Sequence, residues 1–286
     1  MIRKRVILSL LPLFLVILVV YLVPIFNTFV DAFLGHAGSV DGQFVGLGNF
    51  IKIKNSIPRT LLTTLIWTFG SVFPAVILGL VMALLFQYEF RLRRLLMSIN
   101  LLPYSIPLII VASCWVFTYN QQFGLLNVVL MKMGIIGSPI KFLSYDNALA
   151  SVIVVRIWRA LPFAFINFYA ALTTIPKELY EAADVDGASS VQTILYITLP
   201  NLKSVITTTL IILTVWTFLV FDIIYGMTGG GPIDATRIIS IQIYRELFQM
   251  KDLGVASAWS LIAIVVLVTI SLFYWRLLAA ERQEAK

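Results

Sequence analysis

Few side chains in this sequence are equipped for chemistry, and most of those sit where chemistry is expensive. Arg156, Arg159, Asn167 and Asp222 each interrupt a long apolar run. Arg156, Arg159, Phe163, Asn167 and Ala170 follow at steps of three, four, four and three, so on a helix they share one face. An arginine held mid-bilayer costs about 2.5–3.5 kcal/mol on insertion scales, which turns that face toward a bundle interior or a wet cavity. At about 1.5 Å per helical residue, Arg156 lies about 12 Å and Asp222 about 8 Å from the same membrane side. An ion pair of Asp222 with Arg156 or Arg159 is therefore expected. It serves either to hold helices together or as a gate or solute contact, and both readings stand at this point. Two arginines against one aspartate leave a positive excess that suits an anionic solute.

Other chemistries are absent from the pattern. The single histidine, His36, cannot build a histidine metal site, and the single cysteine, Cys114, cannot form an intrachain disulfide. The cluster Gly229-Gly230-Gly231 lacks the Lys and Ser or Thr of a phosphate-binding loop, and reads as a flexible outer loop. No HExxH, GxSxG or paired-cysteine spacing occurs.

The elements that must position these residues follow from composition. Of 286 residues, 60% are hydrophobic and 12% charged, with a mean hydropathy of +0.96. Soluble domains run about 45–50% apolar and about 25% charged, so too little polar surface exists here to face water. A soluble enzyme, a nucleic-acid binder and a disordered chain are excluded. A bilayer core of about 30 Å needs roughly 20 helical residues. Six stretches qualify, near 7–30, 61–86, 95–119, 148–173, 204–227 and 255–278. The first run is too long for a signal peptide and reads as a retained helix. The expected fold is all-α and polytopic, with six transmembrane helices. Its divisions are an N-terminal helix with outer loop over 1–57 and a five-helix domain over 58–280. The formal charge of +7 is then the usual excess of orienting cations. With both termini inside, Lys and Arg are about twice as dense in the inner segments as in the outer ones. Arg91, Arg93 and Arg94 read as orientation anchors rather than a lipid-recognition site.

The connection after the fourth span, 174–203, is longer and more structured than a linker requires. Pro176 suits a first helical turn, with Thr174 as a cap upstream. Lys177 to Asp186 carries good helix formers, and Gly187 permits the positive φ of a bend. Ser189 or Ser190 caps a second helix, which Pro200 closes or leads into span five. Two short helices bent at a glycine make a docking knob.

Within it, Glu181-Ala182-Ala183, three residues, Gly187, nine residues and Ile197-Thr198-Leu199-Pro200 resemble the EAA loop of permease subunits of binding-protein-dependent ABC importers of type I fold. Asp184-Val185-Asp186-Gly187-Ala188-Ser189 resembles the carbohydrate branch. So do Phe221-Asp222 with Tyr225, Thr228-Gly229-Gly230-Gly231-Pro232 with Thr236, and Phe44-Val45-Gly46-Leu47 with Asn49-Phe50. The set is similar to the first permeases for maltose, lactose and glycerol phosphate. Ile194 stands where the family commonly has Phe, and Ser204 where it commonly has a second Pro.

The resemblance implies a coupling helix in which Glu181, Ala182, Ala183, Asp186 and Gly187 dock into a partner ATPase. It implies a second permease, an ATPase dimer and an extracytoplasmic solute-binding protein as partners, in a bacterial or archaeal inner membrane. ATP and Mg would be bound by the partners, with no cofactor and no catalysis on this chain. The solute would be a sugar or sugar-like molecule, with glycerol phosphate or another anion as the alternative. Because sugars favour amide hydrogen bonds and aromatic faces, Asn167, Tyr169, Trp216 and Tyr225 join Arg156, Arg159 and Asp222 as pathway candidates. Pro162, Gly226 and Pro232 are the expected bending points of alternating access. A self-contained secondary transporter would need inverted repeats, and a membrane enzyme would need clustered His, Asp or Glu; neither pattern is present.

Overall fold

The computed structural model describes residue 12, residues 15–36 and residues 42–284. Among these the chain is helical, with no strand and one isolated bridge between Leu34 and Phe44. By contacts it divides into two compact units. One takes the described residues up to Leu61 together with Ile239–Val268; the other takes Leu62–Ile238 with the end of the last helix from Thr269.

The first unit begins with α1, Leu15–Asp31. Its side chains from Leu15 to Asn27 are all exposed. An apolar helix with no polar face is built for a lipid or helical surround, not for water. The expected span 7–30 begins outside the described residues. Asn49, at the start of α2 (Gly48–Ile53), is fully buried and ties this unit together. Its side-chain amide donates to the carbonyls of Ala32 at 3.0 Å and Leu34 at 2.8 Å, satisfying groups left over where α1 ends. Gly254 must be glycine here, since a Cβ would lie 2.4 Å from the Leu34 carbonyl oxygen. Asp252 accepts from the Val255 N–H at 3.0 Å, capping the long last helix, and meets Lys52 at 3.3 Å.

The second unit carries the rest of the bundle. Here α3 (Ile57–Leu85) and α7 (Ala148–Leu172) are long and apolar enough to span a bilayer. Between them lie α4 (Arg93–Ser105), α5 (Leu108–Thr118) and the short α6 (Leu125–Lys132). Then come α8 (Lys177–Val185), α9 (Ser190–Leu219) and α10 (Asp222–Met227). The short α11 (Ile239–Tyr244) leads to α12 (Leu253–Glu284), both begun in the first unit. The core is a meeting of α3, α7 and α9 through Val72, Ala75, Ala83, Ala160, Ala164, Phe168, Leu202 and Leu213. Small residues set the spacing. A Cβ on Gly79 would lie 2.6 Å from the Ala164 Cβ, so α3 and α7 approach as closely as helices held by packing alone require.

Polarity is inverted relative to a soluble protein. Thr64, Thr68 and Ser71 form a buried stripe on α3, while Ile77, Val81 and Phe73 on the same helix point outward. Lipid, which competes for no hydrogen bonds, is the solvent such an exterior fits.

Two expected spans are corrected. The third, 95–119, is not one helix: α4 and α5 meet at a 104° bend. Pro107 forces Ile106 into extended geometry (ψ 134°) and cannot donate across the break. The fifth, 204–227, ends at Leu219, where Val220 is extended with ψ 128°. Asp222 therefore opens α10 after a break rather than lying within a continuous span.

The glycine-rich loop is also more ordered than its composition predicts. Thr236, fully buried, donates its hydroxyl proton to the Gly231 carbonyl at 2.9 Å and lies 2.6 Å from Thr228 Oγ1. Gly229 and Gly230 supply the left-handed φ that this closed loop needs.

Candidate coupling loop and polar cavity

The loop after α7 folds as two helices joined at a glycine. Pro176 is itself the N-cap of α8, with ψ 134°. Thr174 does not cap α8 as expected: its hydroxyl donates back to the Ala171 carbonyl at 2.8 Å, closing α7 instead. At the far end Gly187 takes φ +72°. Its N–H donates to the Asp184 carbonyl at 3.1 Å, and the Ala188 N–H to the Ala183 carbonyl at 2.9 Å. These two bonds are the Schellman closure, which absorbs the last carbonyls of a helix. Two residues on, Ser189 accepts from the Gln192 N–H while the Gln192 side chain accepts from the Ser189 N–H at 2.8 Å. That capping box starts α9. The helix then passes Pro200 through a wider π turn at Ile194–Thr198 and continues as the fifth span.

The faces of α8 are distinct. Glu178, Glu181, Ala182 and Val185 fall at i, i+3, i+4 and i+7 and are all exposed, Val185 by 88%. Ala183 faces the other way, at 7% exposure, so it seats the helix and is not part of the outward face. Tyr180 lies on the inward side as well, its hydroxyl 3.3 Å from Thr198 Oγ1 on α9. Asp186 and Gly187 are exposed at the bend. At the start of α9, Val191, Leu195 and Tyr196 are exposed as well.

The charged cluster of the spans also comes together, though not as an ion pair. A cavity of about 370 Å³ is lined by Arg156, Arg159, Trp216 and Asp222, with Tyr104 and Phe221. Arg156, buried on α7, donates from Nε and Nη2 to Thr217 Oγ1 at 3.1 and 2.9 Å. Arg159 donates from Nη2 to the Tyr104 carbonyl at 2.8 Å and stacks 4.4 Å over the Tyr104 ring. Asp222 pairs with neither arginine among the described residues. The break at Val220 turned α10 and gave the arginines acceptors of zero charge. Two guanidinium groups, one carboxylate and the faces of Tyr104 and Trp216 can hold a small polar molecule by hydrogen bonds and stacking.

The remaining candidates lie elsewhere. Asn167 is half-buried on α7 and does not line this cavity. Tyr225 is 41% exposed on α10 and stacks on Phe221, with ring centroids 4.7 Å apart. Tyr169 sits at the other end of α7, where its hydroxyl accepts from Arg93 Nη2.

Residues 75–283 match the model of the family described as binding-protein-dependent transport system inner membrane component. The chain belongs to that family. The permease is 35% identical over 271 residues to the trehalose/maltose transport system permease protein MalF of Thermococcus litoralis, covering 93% of this chain and 91% of that one. It is 31% identical over 254 residues to the sulfoquinovosyl glycerol transport system permease protein SmoG of Agrobacterium fabrum, covering 87% and 81%. It is 31% identical over 240 residues to the sn-glycerol-3-phosphate transport system permease protein UgpA of Yersinia pestis, covering 83% and 81%. Among solved structures, its fold is that of a bacterial ABC transporter involved in import of the acidic polysaccharide alginate. The TM-score is 0.84 at 24% identity, over 99% of this chain and 97% of that one.

Residues that sequence reasoning missed in this permease are Tyr104 and Thr217, which hold the two arginines, and Val185, which leads the outward face of α8. Val185 carried a signal, because it stands four residues after Glu181 on the same face. Tyr104 and Thr217 carried none: their partners are 55 and 61 residues away.

Proposed function

We propose that this chain forms one half of the transmembrane pathway of an ATP-driven importer, with both termini in the cytoplasm of a bacterial or archaeal cell. A second, similar permease supplies the other half, an ATPase dimer binds below, and an extracytoplasmic protein delivers the solute. The observation that carries this reading is the outward face Glu178, Glu181, Ala182 and Val185 on a helix closed at Gly187. A four-residue helical stripe of this kind fits a groove on a partner, and family membership supports an ATPase in that place.

The helix α8 is held between the end of α7 and the start of α9, so movement imposed on it reaches both spans. ATP and its magnesium ion belong to the ATPase subunits. This chain's part is mechanical: to convert closure of the ATPases into opening of the pathway toward the outside.

The solute is a sugar or a sugar-like molecule. Trp216 and Tyr104 offer aromatic faces and Arg156, Arg159 and Asp222 offer hydrogen bonds in one cavity, and the relatives named above carry sugars or glycerol derivatives in their names. A second reading, an anionic solute such as glycerol phosphate, is favoured by the two arginines facing one carboxylate.

The test is a mild-detergent pull-down of the tagged chain with mass spectrometry and an ATPase assay of what accompanies it. Recovery of a second permease and an ATP-hydrolysing subunit, lost with Glu181→Lys, supports the assignment. A chain that purifies alone and transports in liposomes without ATP overturns it in favour of a secondary transporter.

A further inference from the structure

We infer that the permease binds a phosphate group in a second cavity, between the start of α4, the end of α7 and the start of α8. This cavity has a volume of about 360 Å³ and is lined by Gln87, Arg93, Tyr169, Thr173, Lys177 and Tyr180, with Leu172 and Ile175 closing its apolar side. Two of those side chains are cationic and none is a carboxylate. Glu178, next in sequence to Lys177, stands on the outward face of α8. Among the described residues no ion pair neutralises Arg93 or Lys177.

Arg93 is positioned rather than free. It donates to the Tyr169 hydroxyl, and its guanidinium lies 5.6 Å from the centre of that ring. The aromatic ring orients the fork while leaving its remaining N–H groups for a ligand. Lys177 contributes a point charge, and the Tyr169 hydroxyl, which accepts from Arg93, keeps its proton for the ligand. A planar fork, an ammonium and a phenol hydroxyl around one space match the charged, tetrahedral oxygens that a phosphate monoester and a phosphodiester share. The first turn of α4, which begins at Arg93 without a side-chain cap, adds positive potential in the same place.

The cavity sits where α3 ends, α4 begins, α7 ends and α8 begins, the edge of the bundle that the charge distribution assigns to the cytoplasmic headgroup layer. Two sources present this chemistry there: the headgroup of an anionic phospholipid, or a soluble phosphate ester. Either would bridge Lys177, the first residue of α8, to Arg93, the first residue of α4. The ligand thereby fastens α8 to the bundle at its N-terminal end, as Tyr180 does through Thr198. This inference stands on the cavity and its charges, and its test reads binding alone, so it is decided separately from the identity of the transporter.

The test uses the purified permease with whatever subunits accompany it, in nanodiscs of phosphatidylcholine alone or with phosphatidylglycerol. Inorganic phosphate is added to the former at matched ionic strength, and the thermal unfolding midpoint is followed as a titration. In the native chain the midpoint rises with phosphatidylglycerol, with phosphate or with both. Arg93→Gln and Lys177→Gln each weaken the apparent affinity about tenfold or more, as expected for one lost charge-assisted hydrogen bond. Arg94→Gln, an exposed cation outside the cavity, leaves it unchanged. A rise with phosphatidylglycerol only assigns a lipid headgroup, and a rise with phosphate only assigns a soluble ester. Should Arg93→Gln fail to fold, Lys177→Gln at the exposed helix start decides alone. No rise with either probe, or an equal rise in the Lys177→Gln protein, overturns the inference.

Discussion

Arg156 and Thr217 meet across two helices, with two nitrogens of one guanidinium sharing a single hydroxyl at 3.1 and 2.9 Å. Thr217 is itself buried, and its carbonyl accepts from the Trp67 indole N–H at 2.9 Å, so one residue of α9 fastens both α7 and α3. The arrangement keeps a cation inside the bundle without a neutralising partner and makes the hydroxyl its principal acceptor. Thr217→Val preserves shape and removes that acceptor. It should destabilise the permease by about 1–3 kcal/mol, the cost of a buried donor left unsatisfied. Thr217→Ser should retain most of the stability. Thermal unfolding in detergent distinguishes them, and equal midpoints for the two variants would show that the hydroxyl carries no such load.

Gly187 holds a conformation that side chains avoid, yet nothing lies within 4 Å of where its Cβ would be. The cost of substitution is therefore backbone strain alone. Gly187→Ala should cost about 1 kcal/mol and Gly187→Asn less, since asparagine tolerates the left-handed region. Gly187→Pro removes the N–H bonded to Asp184 and fixes φ on the wrong side, so the α8–α9 bend cannot close. That subunit should still reach the membrane while its complex hydrolyses ATP without accumulating solute. Uptake at the native rate in Gly187→Pro would exclude a coupling role for the bend.

Features with local causes were legible in the sequence. The Gly187 bend, the Ser189 cap and the periodicity of the long spans depend on residues within one or two turns. The break at Pro107 also had a local cause, but a continuous apolar run across it reads as one span. The break at Val220 had no such signal, because Val220 and Phe221 are ordinary helix-compatible residues. What marks the place is tertiary: the Thr217 carbonyl at the end of α9 is shared between the Trp67 indole and the Val220 N–H. Missing that break carried Asp222 into a span and paired it with an arginine. The acceptors that replaced it, Thr217 and the Tyr104 carbonyl, are visible only once the helices are packed.

The unpaired Asp222 changes what its substitution should do. A buried ion pair broken on one side costs about 3–5 kcal/mol, and neutralising the other side restores part of it. Asp222 opens α10 at the rim of the 370 Å³ cavity instead, with no arginine bound to it. Asp222→Asn should therefore shift the unfolding free energy by less than about 1 kcal/mol while altering solute uptake, and Arg156→Gln should not rescue it. Recovery of stability in the Asp222→Asn, Arg156→Gln double variant would restore the ion pair.

Close approach of α3 and α7 rests on Gly79 more than on Gly70. A Cβ at Gly79 would meet the Ala164 Cβ at 2.6 Å and the Phe165 backbone nitrogen at 3.0 Å, and neither can swing away. At Gly70 the nearest atom is the tip of Ile153, at 3.3 Å, which can change rotamer. Gly79→Ala should cost about 1–3 kcal/mol by overpacking, and Gly70→Ala close to nothing. Monodispersity on gel filtration after a heating series reads the difference; comparable losses would mean that backbone distance does not limit this interface.

Val185 is the most exposed apolar side chain of the outward face of α8, at 88%. The bundle leaves it in water, because the seat of α8 uses Tyr180 and Ala183 on the opposite side. An anchor of this kind dominates a small interface when it enters a fully desolvated pocket. Val185→Asp places a charge at that point without touching the Gly187 closure or the Tyr180 hydroxyl. The amount of permease in the membrane should stay the same, while the ATPase recovered with it falls tenfold or more, a loss of about 1.4 kcal/mol or greater. Ala183→Asp acts differently, since it buries a charge beneath the helix and should lower the yield of the permease itself. Equal ATPase recovery in Val185→Asp and native chain would move the docking surface off α8, toward the exposed Val191, Leu195 and Tyr196 at the start of α9.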